Sequence, residues 1–156
     1  MKRLGALAVI FMLSLLMFGQ SRHENASTQN PLTGAWRLAS LEEPDADGRL
    51  HKADCTGMLV FTHDGHMSVQ VMYANPPSED KSAPVQYAQG GYEASYGEYE
   101  INDAHTVTFH VEGALVRTLI GKELKRSYEL SGTQLIVKSS DPKEHWKVTW
   151  ERYKHE

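Results

Sequence analysis

His110 and Glu112 stand two residues apart in a segment whose alternate positions are the apolar Val107, Phe109 and Val111. On an extended strand, residues i and i+2 point the same way. An imidazole and a carboxylate at this spacing can share a proton, which is what general acid–base chemistry on an enclosed substrate requires. The same spacing fits two solvated side chains on the outer face of a strand, and the sequence leaves both facings open. Arg126 lies between Leu124 and Tyr128 at period two, so alternation sends a guanidinium to an otherwise apolar face. A buried guanidinium needs an anion. If Glu112 or Glu98 supplies it, Arg126 is structural. If a ligand carboxylate or enolate supplies it, the guanidinium fork is an anchor, with Tyr96, Tyr99 or Tyr128 as further hydrogen-bond donors.

Other chemistries lack their signatures. Eight histidines invite a metal reading, but His63 and His66 flank a tight turn, and His105 and His110 fall on opposite faces of one strand. There is no H-E-x-x-H or paired-cysteine pattern and no G-x-S-x-G elbow, so no metal, cofactor or nucleophile is expected. Cys55 is the sole cysteine. It cannot form an internal disulfide and reads as a buried small hydrophobe rather than a reactive thiol. The candidate ligand-binding set is Arg126, Tyr128, Tyr99, Tyr96 and, if its strand faces inward, His110; the alternative catalytic pair is His110 and Glu112.

These side chains need a scaffold, and the pattern from Gly34 onward supplies one. Alternating apolar and polar residues recur between short turn signals, predicting strands near 34–42, 57–62, 66–73, 95–101, 106–112, 122–130, 133–139 and 145–153. His63-Asp64-Gly65, Asn102 to His105 and Ser131-Gly132 are short enough for antiparallel hairpins. No helical crossover separates the strands, which argues against a parallel sheet. The expected fold is all-β, an eight-stranded antiparallel up-and-down barrel. One long interruption, about Ala74 to Ala94, begins with Pro76-Pro77 and is expected to hold a short helix or flap across one barrel end. Period two sends Trp36 and Leu38, Leu59 and Phe61, the odd residues from Met67 to Tyr73, the even residues from Leu124 to Leu130, and Trp146, Val148, Trp150 and Arg152 inward.

The N-terminus carries an address rather than part of the fold. Lys2 and Arg3 precede an apolar run from Leu4 to Phe18, and Gly19-Gln20-Ser21 follows it, the pattern of a secretory signal peptide over residues 1–21. The run is shorter than the roughly 20 residues a membrane-spanning helix needs, and no cysteine stands just after it to accept a lipid, Cys55 lying far downstream. Residues 22–31 read as a flexible leader containing an Asn25-Ala26-Ser27 glycosylation sequon, and 32–156 as one domain. Loss of Lys2 and Arg3 takes the net charge from −4 to −6, which disfavours nucleic acid and anionic membrane surfaces as partners. The mature chain is expected in the periplasm or outside the cell, without stable membrane insertion, and its oligomeric state is open.

Gly34-Ala35-Trp36 at the head of the first strand and Trp150-Glu151-Arg152 in the last resemble the lipocalin device in which an arginine packs over a tryptophan at the closed barrel end. Such a pair seals the place where first and last strands meet, because the indole face attracts the guanidinium. The run Gly57 to Val69, then Gly97-Glu98-Tyr99, His110-Val111-Glu112-Gly113, Arg126 and Leu130 to Leu135 is similar, in that order, to the bacterial and fungal lipocalin-like domain family over 32–153. The chain departs from that family at Ala114 to Arg117, where Pro and Trp are usual. The resemblance implies an exported barrel that binds a small hydrophobic or amphipathic molecule, or alternatively an isomerase or cyclase acting on an enclosed one.

Overall fold

The computed structural model describes residues 30–45, 47–75 and 87–154. The expected signal peptide, most of the leader with its sequon, and the Pro76-Pro77 portion of the long insertion lie outside these residues.

Among the described residues, nine strands form one antiparallel sheet whose first and last long strands pair with each other. They are β1 (Gly34–Pro44), β2 (Leu50–Lys52), β3 (Cys55–Phe61), β4 (His66–Tyr73), β5 (Tyr92–Ile101), β6 (Thr106–Ala114), β7 (Glu123–Ser131), β8 (Gln134–Ser139) and β9 (Lys147–Arg152). From β3 to β9 each strand pairs with its sequence neighbour, and β1 closes the ring by pairing with both β3 and β9. The result is the closed eight-stranded barrel expected from the sequence. The extra strand, β2, is short and exposed, pairs with the far end of β1 alone, and has too few alternating residues to be legible.

The expected inward residues form the core. Trp36, Leu59, Phe61, Met67, Val71 and Trp150 are all buried in one cluster, which Val107, Phe109 and Leu135 join. Two shifts of register interrupt the pairing, and the first breaks strict alternation. A bulge between Leu38 and Ser40 on β1 moves the inward face from Trp36 and Leu38 to Leu41 and Glu43. Another where β5 meets β6 lies between Tyr96 and Gly97. Bulges of this kind re-aim a side chain, and here the first one turns a carboxylate into the barrel.

One end is sealed as the sequence suggests. The Arg152 guanidinium lies 4.0 Å above the Trp36 ring and donates to the carbonyls of Thr33 at 2.5 Å and Pro31 at 2.7 Å. Trp36 Nε1 donates to the Leu32 carbonyl at 2.9 Å. Gly34 sits at φ +133°, a conformation that favours glycine, and a Cβ there would lie 2.6 Å from the Arg152 guanidinium and displace it. Asn30 and Pro31, at the end of the expected leader, belong to this seal: Asn30 Nδ2 donates to the Tyr99 hydroxyl at 2.6 Å.

Candidate functional site

The opposite half of the barrel encloses a cavity of about 400 Å³. Its walls are mainly apolar, with Leu41, Leu59, Val69, Val71, Phe109 and Trp150 prominent, and its lining continues to the exposed Asp141, Lys143 and His145, where it reaches solvent. Two groups of polar side chains interrupt the walls.

The first is centred on Arg126, which β7 alternation sends inward as expected; the residue is buried, 6% exposed. Its guanidinium carbon lies 5.0 Å from the centre of the Tyr87 ring and 4.9 Å from that of Trp146, and those two rings meet edge to face. The carboxylate beside it is Glu144, 3.7 Å away. Neither Glu112 nor Glu98, the internal partners expected from sequence, fills that role. The β8–β9 loop brings Glu144 there: the Asp141 amide donates to Ser139 Oγ at 3.0 Å, Asp141 Oδ1 accepts from the Lys143 amide at 2.9 Å, and the Glu144 amide donates to the Asp141 carbonyl at 3.1 Å. Tyr87 donates to the Glu144 carboxylate at 2.8 Å and Trp146 Nε1 at 3.1 Å. Burial works against ionisation of Glu144, but hydrogen bonds from Ser139, Tyr87 and Trp146 together with the Arg126 charge prevail and hold its pKa below the usual value.

The second group is acidic. Glu43, on the re-aimed end of β1, accepts a hydrogen bond from the Tyr73 hydroxyl at 3.0 Å, and His51 lies 4.0 Å away. Glu93 enters from β5 opposite Val71 on β4. Glu93 faces the cavity rather than bulk water, and desolvation pushes its carboxyl up to about 7, opposed by the Arg126 charge and reinforced by that of Glu43. Desolvation also raises Glu43, with the Tyr73 hydrogen bond and His51 opposing. Cys55 is partly buried beside this group, and burial, then the charges of Glu43, Asp54 and Glu93, push its thiol up to about 11.

The structure distributes the other candidates away from the cavity. Val107, Phe109 and Val111 are buried, so β6 turns His110 outward between Glu100 at 3.9 Å and Glu123 at 3.6 Å, and Glu112 is exposed. Of the two facings left open for His110 and Glu112, the outward one holds, which removes the alternative of a proton-sharing pair inside the barrel: apolar residues won the inner face, and the imidazole's carboxylate neighbours come from adjacent strands. Tyr96 also faces out, 57% exposed, with its ring over Gly113, where a Cβ would come within 2.3 Å of it. Tyr99 and Tyr128 are buried but serve the sealed end, donating to the carbonyls of Thr62 at 3.0 Å and Asp103 at 3.2 Å. Of the five proposed ligand-contacting residues, Arg126 alone lines the cavity.

Glu43, Glu93 and Glu144 escaped the sequence reading for separate reasons. The first lay beyond the expected end of its strand and past a bulge, the second was assigned to the long insertion, and the third sits in a loop without periodicity. Starting the fifth strand at Tyr92 would have put Glu93 in phase with Ser95, Gly97 and Tyr99. Among the described residues, no group of three or more His, Cys, Asp or Glu side chains could hold a metal ion.

A closed barrel with one sealed and one hollow end defines a class, and the sequence names it: residues 33–153 match the lipocalin-like domain family, to which the chain belongs. Among solved structures it is similar to a lipocalin-like protein from Bacteroides uniformis, at 17% identity over 79% of this chain and 99% of that one, with a TM-score of 0.47. It is also similar to an uncharacterized protein from Bacteroides eggerthii, at 17% identity over 78% and 99% with a TM-score of 0.46. The lipoprotein YedD from Klebsiella pneumoniae matches at 12% identity over 80% and 74%, with a TM-score of 0.41. No curated protein matches the chain.

Proposed function

We propose that this protein is exported and binds a small, mostly apolar molecule in the hollow end of its barrel. The observation that carries the reading is the cavity of about 400 Å³, apolar along its walls and continuous with solvent at the end opposite Trp36 and Arg152. That volume falls within the usual range of small-molecule sites, and an apolar wall with few polar groups is their usual character. Arg126 stands at the wall with Glu144 beside it, so an acidic ligand would compete with a carboxylate already in place. The alternative acid–base reading of His110 and Glu112 lacks support, because both side chains lie outside the barrel, away from any enclosed substrate. Export rests on the N-terminal pattern; intact mass of secreted material is expected to correspond to a chain beginning near Arg22.

Binding is tested with a neutral fluorescent apolar probe, N-phenyl-1-naphthylamine. Its emission is expected to rise and saturate with wild type. Ser95 lines the cavity, and Ser95→Trp is expected to abolish that rise while circular dichroism shows the barrel retained. Equal binding by wild type and a folded Ser95→Trp, or no binding by wild type, would defeat the cavity reading.

A further inference from the structure

We propose that the cavity's ligand carries a positively charged nitrogen, an alkylammonium head seated against Glu93, Glu43 and Tyr73 with its apolar body along the barrel wall; this rests on the cavity-binding reading above. Glu93 carries the argument. It lies inside the barrel and takes part in no hydrogen bond or ion pair among the described residues, in contrast to Glu43, which Tyr73 engages, and Glu144, which Tyr87, Trp146 and Arg126 surround. Glu93 is partly buried and lines the cavity, so its carboxyl keeps acceptor capacity there that the fold leaves unused.

Charge and shape specify what arrives. Among the described residues, the carboxyls of Glu43, Glu93 and Glu144 line the cavity with the deep guanidinium of Arg126, beside which Glu144 already sits, while the exposed Asp141, Lys143 and His145 stand at the mouth. Beside Glu43 and Glu93 an anionic head would meet like charge, whereas a cation would be attracted by both carboxyls. Glu43 and Glu93 are close enough for their charges to act on one another, and both act on Tyr73. Tyr73 spends its proton on Glu43, so its oxygen is an acceptor from the cavity side. An ammonium group offers three donors and no acceptor, matching a pocket of two carboxyls and a phenol oxygen. Apolar Val71, Val69 and Leu59 continue inward from these groups, a surface for the attached hydrocarbon.

Three probes with one hydrocarbon body separate the possibilities: octylammonium, octanol and octanoate, each titrated against the full mature chain at pH 7.5 in competition with N-phenyl-1-naphthylamine. Octylammonium is expected to bind about tenfold or more tightly than octanol, with octanoate weakest. Glu93→Gln, which keeps shape and removes charge, is expected to bring the ammonium-to-alcohol affinity ratio toward one, and Glu43→Gln to lower it by a smaller factor. Octanol binding without ammonium preference, an unchanged ratio in both variants, or preference for octanoate would overturn the proposal while leaving cavity binding intact. Failure of all three probes and of the fluorescent one would defeat the cavity reading itself. If Glu93→Gln does not fold, the wild-type ranking and Glu43→Gln decide.

Discussion

Glu93 is an acid whose environment favours its neutral form, and that has a consequence for stability. Its ordinary value is 4.5 and its folded value is about 7. Between these values the unfolded chain has released the proton that the folded chain keeps, so this group's contribution makes stability fall as pH rises through that window. The groups that bear on it are Glu43, which reinforces the effect, and Arg126, which opposes it. Glu93→Gln is expected to be close to wild type in stability near pH 4 and relatively more stable at pH 8, by up to about 3 kcal/mol. Chemical denaturation at both values checks this, and a difference independent of pH would contradict it. Cys55 offers a second residue-scale test. A thiol pushed up to about 11 is almost wholly protonated at neutral pH, and the thiolate is the nucleophile. In the native protein, iodoacetamide labelling at pH 7.5 is expected to be much slower than in urea-unfolded protein.

Two elements hold the barrel's ends in different ways. At the sealed end Arg152 covers Trp36 and ties the carbonyls of residues 31 and 33 to β9. Arg152→Met keeps apolar cover but loses the cation–π contact and both hydrogen bonds, and is expected to lower stability by about 1–2 kcal/mol. Cavity binding should be unchanged, because this pair lies at the other end. At the hollow end Arg126 connects β7 to the β8–β9 loop through Glu144 and to Tyr87 and Trp146 through their rings. Arg126→Met is expected to destabilise by roughly 2–4 kcal/mol, since it removes the buried guanidinium that lies 3.7 Å from the Glu144 carboxylate and against the Tyr87 and Trp146 rings. Adding Glu144→Gln should recover part of that loss. A double-mutant cycle measures the coupling, and additive effects would mean the two residues act independently.

For the whole molecule, closure of β1 on β9 leaves a core packed at one end and hollow at the other. A ligand that binds only the closed barrel must raise its stability by mass action, about 2.7 kcal/mol at a hundredfold excess over Kd. A neutral cavity probe is therefore expected to raise Tm in wild type and leave folded Ser95→Trp unmoved, as differential scanning calorimetry would read. Among the described residues, no helix is long and apolar enough to cross a membrane. The molecule is a lipocalin-like barrel.

Alternation carries local information, because a strand's side chains take opposite faces in turn. That was enough to read eight strands, the antiparallel barrel and the inward Arg126, whereas the Arg152–Trp36 seal was implied by the resemblance to the lipocalin-like family. It was also enough to put Val107, Phe109 and Val111 in the core as the usual reading, although the opposite facing of His110 stayed open until neighbouring strands packed against β6. What alternation cannot carry is a change of phase or a contact made by a loop. The β1 bulge that turns Glu43 inward depends on pairing with β9, a strand about a hundred residues away in the chain. Glu144 reaches Arg126 from an aperiodic turn, and Glu93 becomes a cavity residue only because β5 extends to Tyr92 alongside β4. The scaffold was therefore legible in local periodicity, whereas the carboxyls that give the cavity its chemistry were decided by long-range strand pairing and loop packing.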